Sequence, residues 1–269
     1  MPIDNQWYDE LGDAWWDRRG PVAALHDFNE ARTAYATGVI RGVLAEIERP
    51  RVLDVGAGGG LFSASLAASG FEVVGVDASR PSLGVARRHT VRSGDGGAPS
   101  YVAGNAMLLP FADGSFDAAV CSEVLEHVPA PGVLVREVAR VLRPGGVFCF
   151  DTPNRSWFAR IALISIAENV GWAPRGTHDF GLFLTPAEVR QHLMSAALLP
   201  RDLRGFSLKR NPVAAVFGYL RRREIGGFRL TSDLRFVMTG YAEKPLRPAL
   251  AGVGGESVAE PIAVEGGAR

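Results

Sequence analysis

The chain has 269 residues, of which 47% are hydrophobic and 22% charged, a composition typical of a globular protein with a buried core. Lysine plus arginine and aspartate plus glutamate both number 29, so the balance predicts no broad basic surface and no nucleic-acid partner. No apolar run is long enough to span a bilayer and no N-terminal signal segment is visible, which predicts a cytoplasmic protein.

The predicted elements begin with an aromatic-rich, helical extension over residues 1–48 and then alternate between strand and helix. Strands are predicted at 51–55, 72–77, 100–103, 116–121, 147–151, 203–208 and 234–241, and helices at about 60–69, 81–92, 131–142, 156–170 and 186–197. This alternation predicts an α/β fold with a doubly wound, mainly parallel sheet of seven strands. We expect one domain over 1–244. Residues 245–269 contain no aromatic residue, and this composition predicts a disordered tail.

A glycine-rich turn follows the first predicted strand. Its glycines read G-x-G-x-G at Gly56, Gly58 and Gly60, and Asp77 ends the next strand 21 positions after Gly56. Such a turn brings backbone close to a ligand, and an acid at the tip of the second strand suits ribose hydroxyls. Leu61 stands where a dinucleotide loop needs its third glycine, and Asp54 suits an ammonium group better than a pyrophosphate. The turn therefore predicts an S-adenosyl-L-methionine site and resembles the first motif of class I methyltransferases.

Two further segments lie where the sheet would bind a ligand. Asn105 and Ala106 follow the third strand, where Asn105 could bind adenine or simply form a turn. Glu123, Glu126 and His127 follow the fourth strand, and on one helical turn they would share a face. Two carboxylates and an imidazole can hold Mg²⁺ or Zn²⁺; the alternative is a polar helix end without metal.

Histidines supply the candidate bases. The unperturbed pKa of histidine is close to neutral, so His127 or His178 could take the proton of a phenol. The alternative for His178 is a loop histidine that satisfies backbone groups.

Several segments beyond the glycine turn resemble the ubiquinone-biosynthesis O-methyltransferases. The resemblance is carried by Trp15-Trp16-Asp17, by residues 25–32, by residues 123–129, by Thr152-Pro153-Asn154-Arg155, and by Arg175-Gly176-Thr177-His178-Asp179. It covers about residues 5–245 and implies a Rossmann-like class I methyltransferase fold. Departures from the family pattern, such as Ala57 for cysteine and Glu30 for proline, leave the cofactor site intact but weaken the inference of a ubiquinone precursor as substrate.

The resemblance also implies roles for individual residues. Cofactor contacts fall on Arg32, Gly56, Asp77 and Ser122, with Arg32 reaching the methionine carboxylate. The family's metal site falls on the two glutamates and the histidine of residues 123–127. The family also contacts lipid near 156–170, and an apolar helix of that length could lie on a membrane surface without crossing it.

These observations predict an S-adenosylmethionine-dependent O-methyltransferase acting on a phenol or catechol hydroxyl of a small aromatic, quinol-like acceptor. A small-molecule N- or C-methyltransferase of the same fold is the nearest alternative. A cofactor-binding protein without chemistry is another, and an NAD(P)-dependent oxidoreductase is disfavoured by Asp54 and Leu61. The sequence leaves the oligomeric state open.

Overall fold

The computed structural model describes residues 6–93, 97–171, 176 and 178–246, and its helices and strands follow the predicted alternation. The helices are α1 (Gln6–Glu10), α2 (Ala23–Val43), α3 (Leu61–Ala68), α4 (Arg80–Ser93), α5 (Pro131–Val141), α6 (Trp157–Ala159), α7 (Glu168–Val170), α8 (Pro186–Ser195) and α9 (Pro212–Arg222). The strands are β1 (Arg51–Val55), β2 (Glu72–Asp77), β3 (Ser100–Ala103), β4 (Phe116–Ser122), β5 (Leu142–Pro153), β6 (Leu199–Leu208), β7 (Phe228–Thr231) and β8 (Val237–Glu243).

The strands form one sheet in the order β3-β2-β1-β4-β5-β8-β6-β7. Strands β1 to β5 pair in parallel, whereas β8 pairs antiparallel with β5 and with β6. The doubly wound α/β prediction is therefore confirmed, but the sheet has eight strands among the described residues and not seven. The missed strand is β7, a four-residue edge strand on β6 that follows two glycines and has two exposed residues at its centre.

Helices cover both faces of the sheet, which is why the central strands read as continuous apolar runs. Val52 and Leu53 are both fully buried, yet they belong to different apolar clusters because neighbouring strand residues point to opposite faces. On one face Leu53 packs with residues of α5 and α8, such as Leu134. On the other, Val52 packs with residues of α2 and α3, such as Ile40. Because β1, β2 and β4 are parallel, their carboxyl ends lie at the same edge of the sheet.

The helix predicted over 156–170 is irregular. It begins in α6, continues as a π-helical stretch over Arg160–Ala167 and ends in α7. π-helical turns are rare and often occur at functional sites. No helix in the described part of the chain combines the length and apolarity that a membrane crossing needs. Residues 247–269 of the predicted tail lie outside the described residues.

Candidate active site

The glycine turn has the backbone conformation that its sequence predicts. Gly56, Gly58 and Gly60 have φ of 79°, 51° and 85°, values that residues with a Cβ rarely adopt. A Cβ on Gly56 would lie 2.3 Å from Val124, and one on Gly59 would lie 2.4 Å from Trp15. Glycine is therefore required both by conformation and by close packing in the turn that leads from β1 into α3.

Asp77 lies beside this turn at the end of β2. One carboxylate oxygen accepts a hydrogen bond from the backbone N–H of Gly58 at 2.8 Å, and the other accepts one from Ser79 at 2.8 Å. Burial raises the pKa of Asp77, while these hydrogen bonds lower it. The predicted pair of glycine turn and strand-end acid is thus in direct contact and lines one cavity.

Arg32 reaches the same cavity from α2. Its side chain is buried; its guanidinium donates to Ser122 Oγ at 2.8 Å and lies 4.7 Å from the Phe62 ring centroid. Ser122 in turn donates to Asp151 Oδ1 at 2.8 Å. Burial lowers the pKa of Arg32, and the nearby carboxylates, Asp151 first, oppose this effect. Arg32 and Ser122, two of the cofactor contacts that the resemblance implies, are therefore hydrogen-bonded to each other.

Asp54 also lines this cavity, although it is almost fully buried. Its carboxylate accepts a hydrogen bond from Ser63 Oγ at 2.6 Å. Burial raises the pKa of Asp54 to about 6, against the lowering effects of Ser63 and Arg32. A cationic ligand group nearby would favour the ionised form.

Asn105 is an exposed residue whose side chain forms a local turn. Its Oδ1 accepts a hydrogen bond from the backbone N–H of Met107 at 2.8 Å, which is the turn alternative considered for this segment. Asn105 and Ala106 nevertheless line the cavity beside Gly104, and adenine contact stays a prediction.

The helical turn predicted for residues 123–127 is wrong at its first residue. Glu123 has a φ of 54° and its backbone N–H donates to the carbonyl of Asp151, so the 3₁₀ turn spans only Leu125–His127. Glu126 Oε2 accepts from Thr152 Oγ1 at 2.8 Å, and Oε1 lies 3.8 Å from His127 Nε2. The three predicted metal ligands are neighbours without sharing a helical face.

These acids are buried with little compensation. Glu123 Oε1, Glu126 Oε1 and His127 Nδ1 are buried without hydrogen-bond partners. Burial raises the pKa of Glu126 to about 8, and burial together with Glu126 and Asp151 raises that of Glu123 well above its ordinary value. Burial and His178 lower the pKa of His127 to about 4. The donor chemistry fits a divalent cation, but among the described residues no three such side chains are arranged to hold one.

His178 lies close to His127, with 6.4 Å between the ring centroids. Its Nδ1 lies 3.1 Å from Glu168 Oε1, and its backbone N–H donates to the same oxygen at 3.2 Å. Burial lowers the pKa of His178, whereas Glu168 raises it. Sequence patterns alone did not predict Glu168 as the partner of His178. The sequence feature that could have indicated it is a carboxylate near the end of a predicted apolar helix, ten residues before the histidine. Arg175 and Thr177 of the same motif lie outside the described residues.

Most of these groups border one continuous cavity of about 880 Å³, although Glu126 and Glu168 do not line it. Its lining includes the glycine turn, Asp77 and Arg32, together with apolar side chains such as Leu163, Phe228 and Phe236. His127 and His178 line the same cavity. An adenosine-type ligand and a second, apolar ligand can therefore share the space.

A glycine turn at the carboxyl end of β1, an acid at the end of β2 and a mixed sheet that ends in antiparallel strands are features of S-adenosylmethionine-dependent methyltransferases, and the comparisons with known proteins place this chain in that class. The family described as "Methyltransferase domain" matches residues 53–150. The chain is 37% identical over 217 residues to a ubiquinone biosynthesis O-methyltransferase from Aromatoleum aromaticum, covering 80% of this chain and 89% of that protein. A protein of the same name from Ralstonia nicotianae is 37% identical over 213 residues, covering 79% and 86%. The chain belongs to the ubiquinone biosynthesis O-methyltransferase family.

Solved structures support the same fold. A Thermotoga maritima protein described as a possible histamine N-methyltransferase superposes with a TM-score of 0.59 at 16% identity, covering 89% of this chain and 99% of that one. Magnesium protoporphyrin IX methyltransferase from Synechocystis, with bound S-adenosylhomocysteine, gives a TM-score of 0.53 at 17% identity, covering 79% and 83%. At these identities the similarity concerns the fold.

Proposed function

We propose that this methyltransferase acts on a phenol or catechol hydroxyl of a small aromatic, quinol-like molecule. The observation that carries the proposal is the continuous cavity, which is lined by the predicted cofactor groups, by apolar side chains and by two histidines. Apolar lining favours an aromatic acceptor, and an imidazole near the reacting hydroxyl favours oxygen methylation. The names of the relatives, which concern ubiquinone biosynthesis, support a quinol-like acceptor.

His178 is the proposed base. Glu168 next to Nδ1 favours the tautomer that carries the proton on Nδ1, which leaves the lone pair on Nε2 to accept a proton. Burial keeps the imidazole neutral near pH 7, and Glu168 maintains its basicity. His127 is the weaker candidate, because burial and His178 hold its pKa near 4.

Methyl transfer then proceeds as a single displacement. The phenol oxygen attacks the sulfonium methyl, the S–CH₃ bond breaks with its electron pair moving to sulfur, and the phenol proton moves to His178 Nε2. The sulfonium already activates the methyl, so the protein mainly aligns the oxygen with the methyl and accepts the proton. The products are the methyl ether and S-adenosylhomocysteine.

A divalent cation is a further proposal for this site. Glu123, Glu126 and His127 would hold it after their side chains rearrange, and the buried oxygens and imidazole nitrogen that lack hydrogen-bond partners support the assignment. When bound, a cation would lower the pKa of the acceptor hydroxyl and orient it. Binding must displace the proton that the raised pKa keeps on Glu126, so affinity for Mg²⁺ or Zn²⁺ should rise as the pH rises towards 8. Titration calorimetry at pH 6 and pH 8 measures this, and affinity that does not change with pH contradicts it.

Peripheral membrane contact through residues 156–170 is the third proposal. Trp157 and Phe158 are exposed there, and Arg160 and Arg235 lie over their rings at 4.9 and 5.4 Å. Aromatic and basic side chains together suit an anionic lipid surface.

Helix α9 extends this surface. Val213, Phe217 and Leu220 are exposed at i, i+4 and i+7, and arginines end the helix. Tyr219 of α9 donates to the carbonyl of Gly171, which ties α9 to the end of the irregular helix.

Vesicle flotation tests the lipid proposal. Binding should appear with phosphatidylglycerol vesicles and be weak with phosphatidylcholine alone. Trp157→Ser should weaken it, whereas Met194→Ser, which removes an equally exposed apolar residue from α8, should not. Equal effects of the two substitutions would contradict the proposal.

The experiment for the main proposal follows methyl transfer from labelled S-adenosylmethionine to a panel of acceptors. Catechols with an apolar substituent should be methylated on oxygen, and His178→Gln should lower turnover while S-adenosylhomocysteine still binds. Methylation of amine or carbon acceptors without any phenol turnover would replace the proposal with the N- or C-methyltransferase alternative. Cofactor binding without transfer to any acceptor would favour a protein without chemistry.

A further inference from the structure

Tyr8 on the N-terminal helix α1 borders the cofactor cavity, although none of the motifs includes it. Its ring stacks on Trp15, with 5.8 Å between centroids and 21° between planes. It also meets His127 edge-on, at 6.3 Å and 77°. Trp15 in turn closes over Gly58 and Gly59. The Tyr8 ring therefore lies between the glycine turn and the histidine at the acceptor side.

The position of Tyr8 is fixed by contacts with α4. Its backbone carbonyl accepts a hydrogen bond from Ser82 Oγ at 3.1 Å, and Ser82 Oγ itself accepts one from Trp15 Nε1 at 3.3 Å. The next residue, Asp9, accepts a hydrogen bond from Ser79, whose backbone N–H binds Asp77. The helix that carries Tyr8 is thus tied to the residues that hold the predicted ribose acid.

The electrostatic surroundings of Tyr8 come from both ends of the cavity. Burial is the largest cause of the raised pKa of Tyr8, and the carboxylates of Glu126, Glu123 and Asp77 raise it further. Asp77 marks the ribose end, and the two glutamates mark the acceptor end. The phenol therefore stays neutral, and it lies between Asp77 on one side and the two glutamates on the other.

The sulfonium of S-adenosylmethionine must lie at the same junction. Its sulfur is bonded to the ribose side, to the amino-acid side and to the methyl that faces the acceptor. We propose that the aromatic ring of Tyr8 packs against this sulfonium and makes the site prefer the charged cofactor to its neutral product. Tyr8 is then a positioning residue for the reacting sulfur. Attraction between a desolvated cation and an aromatic ring changes affinity by about 5- to 30-fold.

The test exploits the charge difference between cofactor and product. S-adenosylmethionine and S-adenosylhomocysteine differ at the sulfur, so the ratio of their dissociation constants reports contacts to the sulfonium. Titration calorimetry would measure both ligands on the wild type and on Tyr8→Leu, Tyr8→Met and Tyr8→Phe. Leu11→Ala is the matched control, because Leu11 packs in the same apolar cluster as Tyr8 but does not line the cavity.

Tyr8→Leu and Tyr8→Met should weaken S-adenosylmethionine binding about 5- to 30-fold more than S-adenosylhomocysteine binding. Tyr8→Phe keeps the ring and should keep the wild-type ratio. Leu11→Ala should change both affinities by one common factor. If Tyr8→Met also lowers the two affinities equally, Tyr8 only packs the N-terminal segment and the proposal is overturned. Loss of the preference in Tyr8→Phe would likewise remove the ring from sulfonium recognition. Tyr8→Met retains an unbranched side chain that fills irregular space, so it tests the ratio should Tyr8→Leu not fold.

Discussion

Glu126→Gln should stabilise the metal-free protein at pH 8 and have little effect near pH 5. Glu126 is only 1% exposed, and burial raises its pKa from 4.5 to about 8. The fold therefore favours the protonated carboxyl, so the free energy of unfolding is highest below pH 4.5 and falls as the pH rises towards 8. Glutamine is neutral throughout and should keep the hydrogen bond from Thr152 Oγ1.

The size of the effect follows from the two pKa values. Ionising Glu126 in the fold costs at most about 5 kcal/mol by pH 8. Glu123 and Asp151 share the same buried charge and titrate together with Glu126, so we expect about 1–3 kcal/mol from this one substitution. For a chain of this size that corresponds to a rise in Tm of roughly 2–8 °C.

Thermal unfolding in EDTA at pH 5, 6.5 and 8 measures the effect. Glu137→Gln is a control, because Glu137 is a partly buried acid whose pKa is lowered by Arg140, so its loss should destabilise the fold at pH 8. Added Mg²⁺ or Zn²⁺ should stabilise the wild type but not Glu126→Gln if the cation proposal is correct. A Glu126→Gln variant that is less stable than the wild type at pH 8 in EDTA would refute the reasoning about its buried charge.

Three further predictions concern the cofactor, the base and the tail. Asp77→Ala should weaken S-adenosylhomocysteine binding roughly tenfold to a hundredfold, since a carboxylate that accepts hydrogen bonds contributes about 1.5–3 kcal/mol; an unchanged dissociation constant in calorimetry would remove Asp77 from the ribose. Glu168→Gln should lower kcat and shift the acidic limb of the kcat profile to lower pH, because Glu168 raises the pKa of His178; a profile identical to that of the wild type would leave Glu168 without a role in positioning the base. Removing the residues after Leu246 should leave Tm and cofactor affinity nearly unchanged, because the tail lacks the apolar content to offset its ordering entropy, and a drop of many degrees would show that it docks on the domain.

The parallel half of the fold was predictable because its signals are local. Strands such as β1 and β2 are apolar runs that begin after polar residues and end at a glycine or an acid, and each is buried on both faces. The N-terminal helical region was likewise visible from its periodic apolar residues. The antiparallel half carries weaker signals. Helix α9 exposes Val213, Phe217 and Leu220, and β7 has only four residues, so neither shows the usual pattern of one apolar and one polar face.

The acceptor side of the site was less predictable because its contacts depend on distant parts of the chain. Glu123 adopts a left-handed backbone conformation, and its N–H donates to the carbonyl of Asp151, 28 positions later. No local sequence pattern predicts this hydrogen bond. Glu168 reaches His178 across the end of an irregular helix. Tyr8 reaches the cavity because Ser82 holds its backbone. Each contact joins elements whose order in space is set by the whole fold.

The two parts of the candidate site also differ in how well their buried polar groups are satisfied. The half predicted to bind the cofactor uses glycine backbone and an acid, Asp77, that accepts two hydrogen bonds within the fold. The half around residues 123–127 keeps one buried oxygen of Glu123 and one of Glu126 without a hydrogen-bond partner, and an imidazole of lowered pKa, an arrangement that costs stability. Uncompensated buried groups of this kind are typical of functional sites, where a bound ligand supplies the missing partner. We therefore expect acceptor or cation binding, more than cofactor binding, to reorganise residues 123–127.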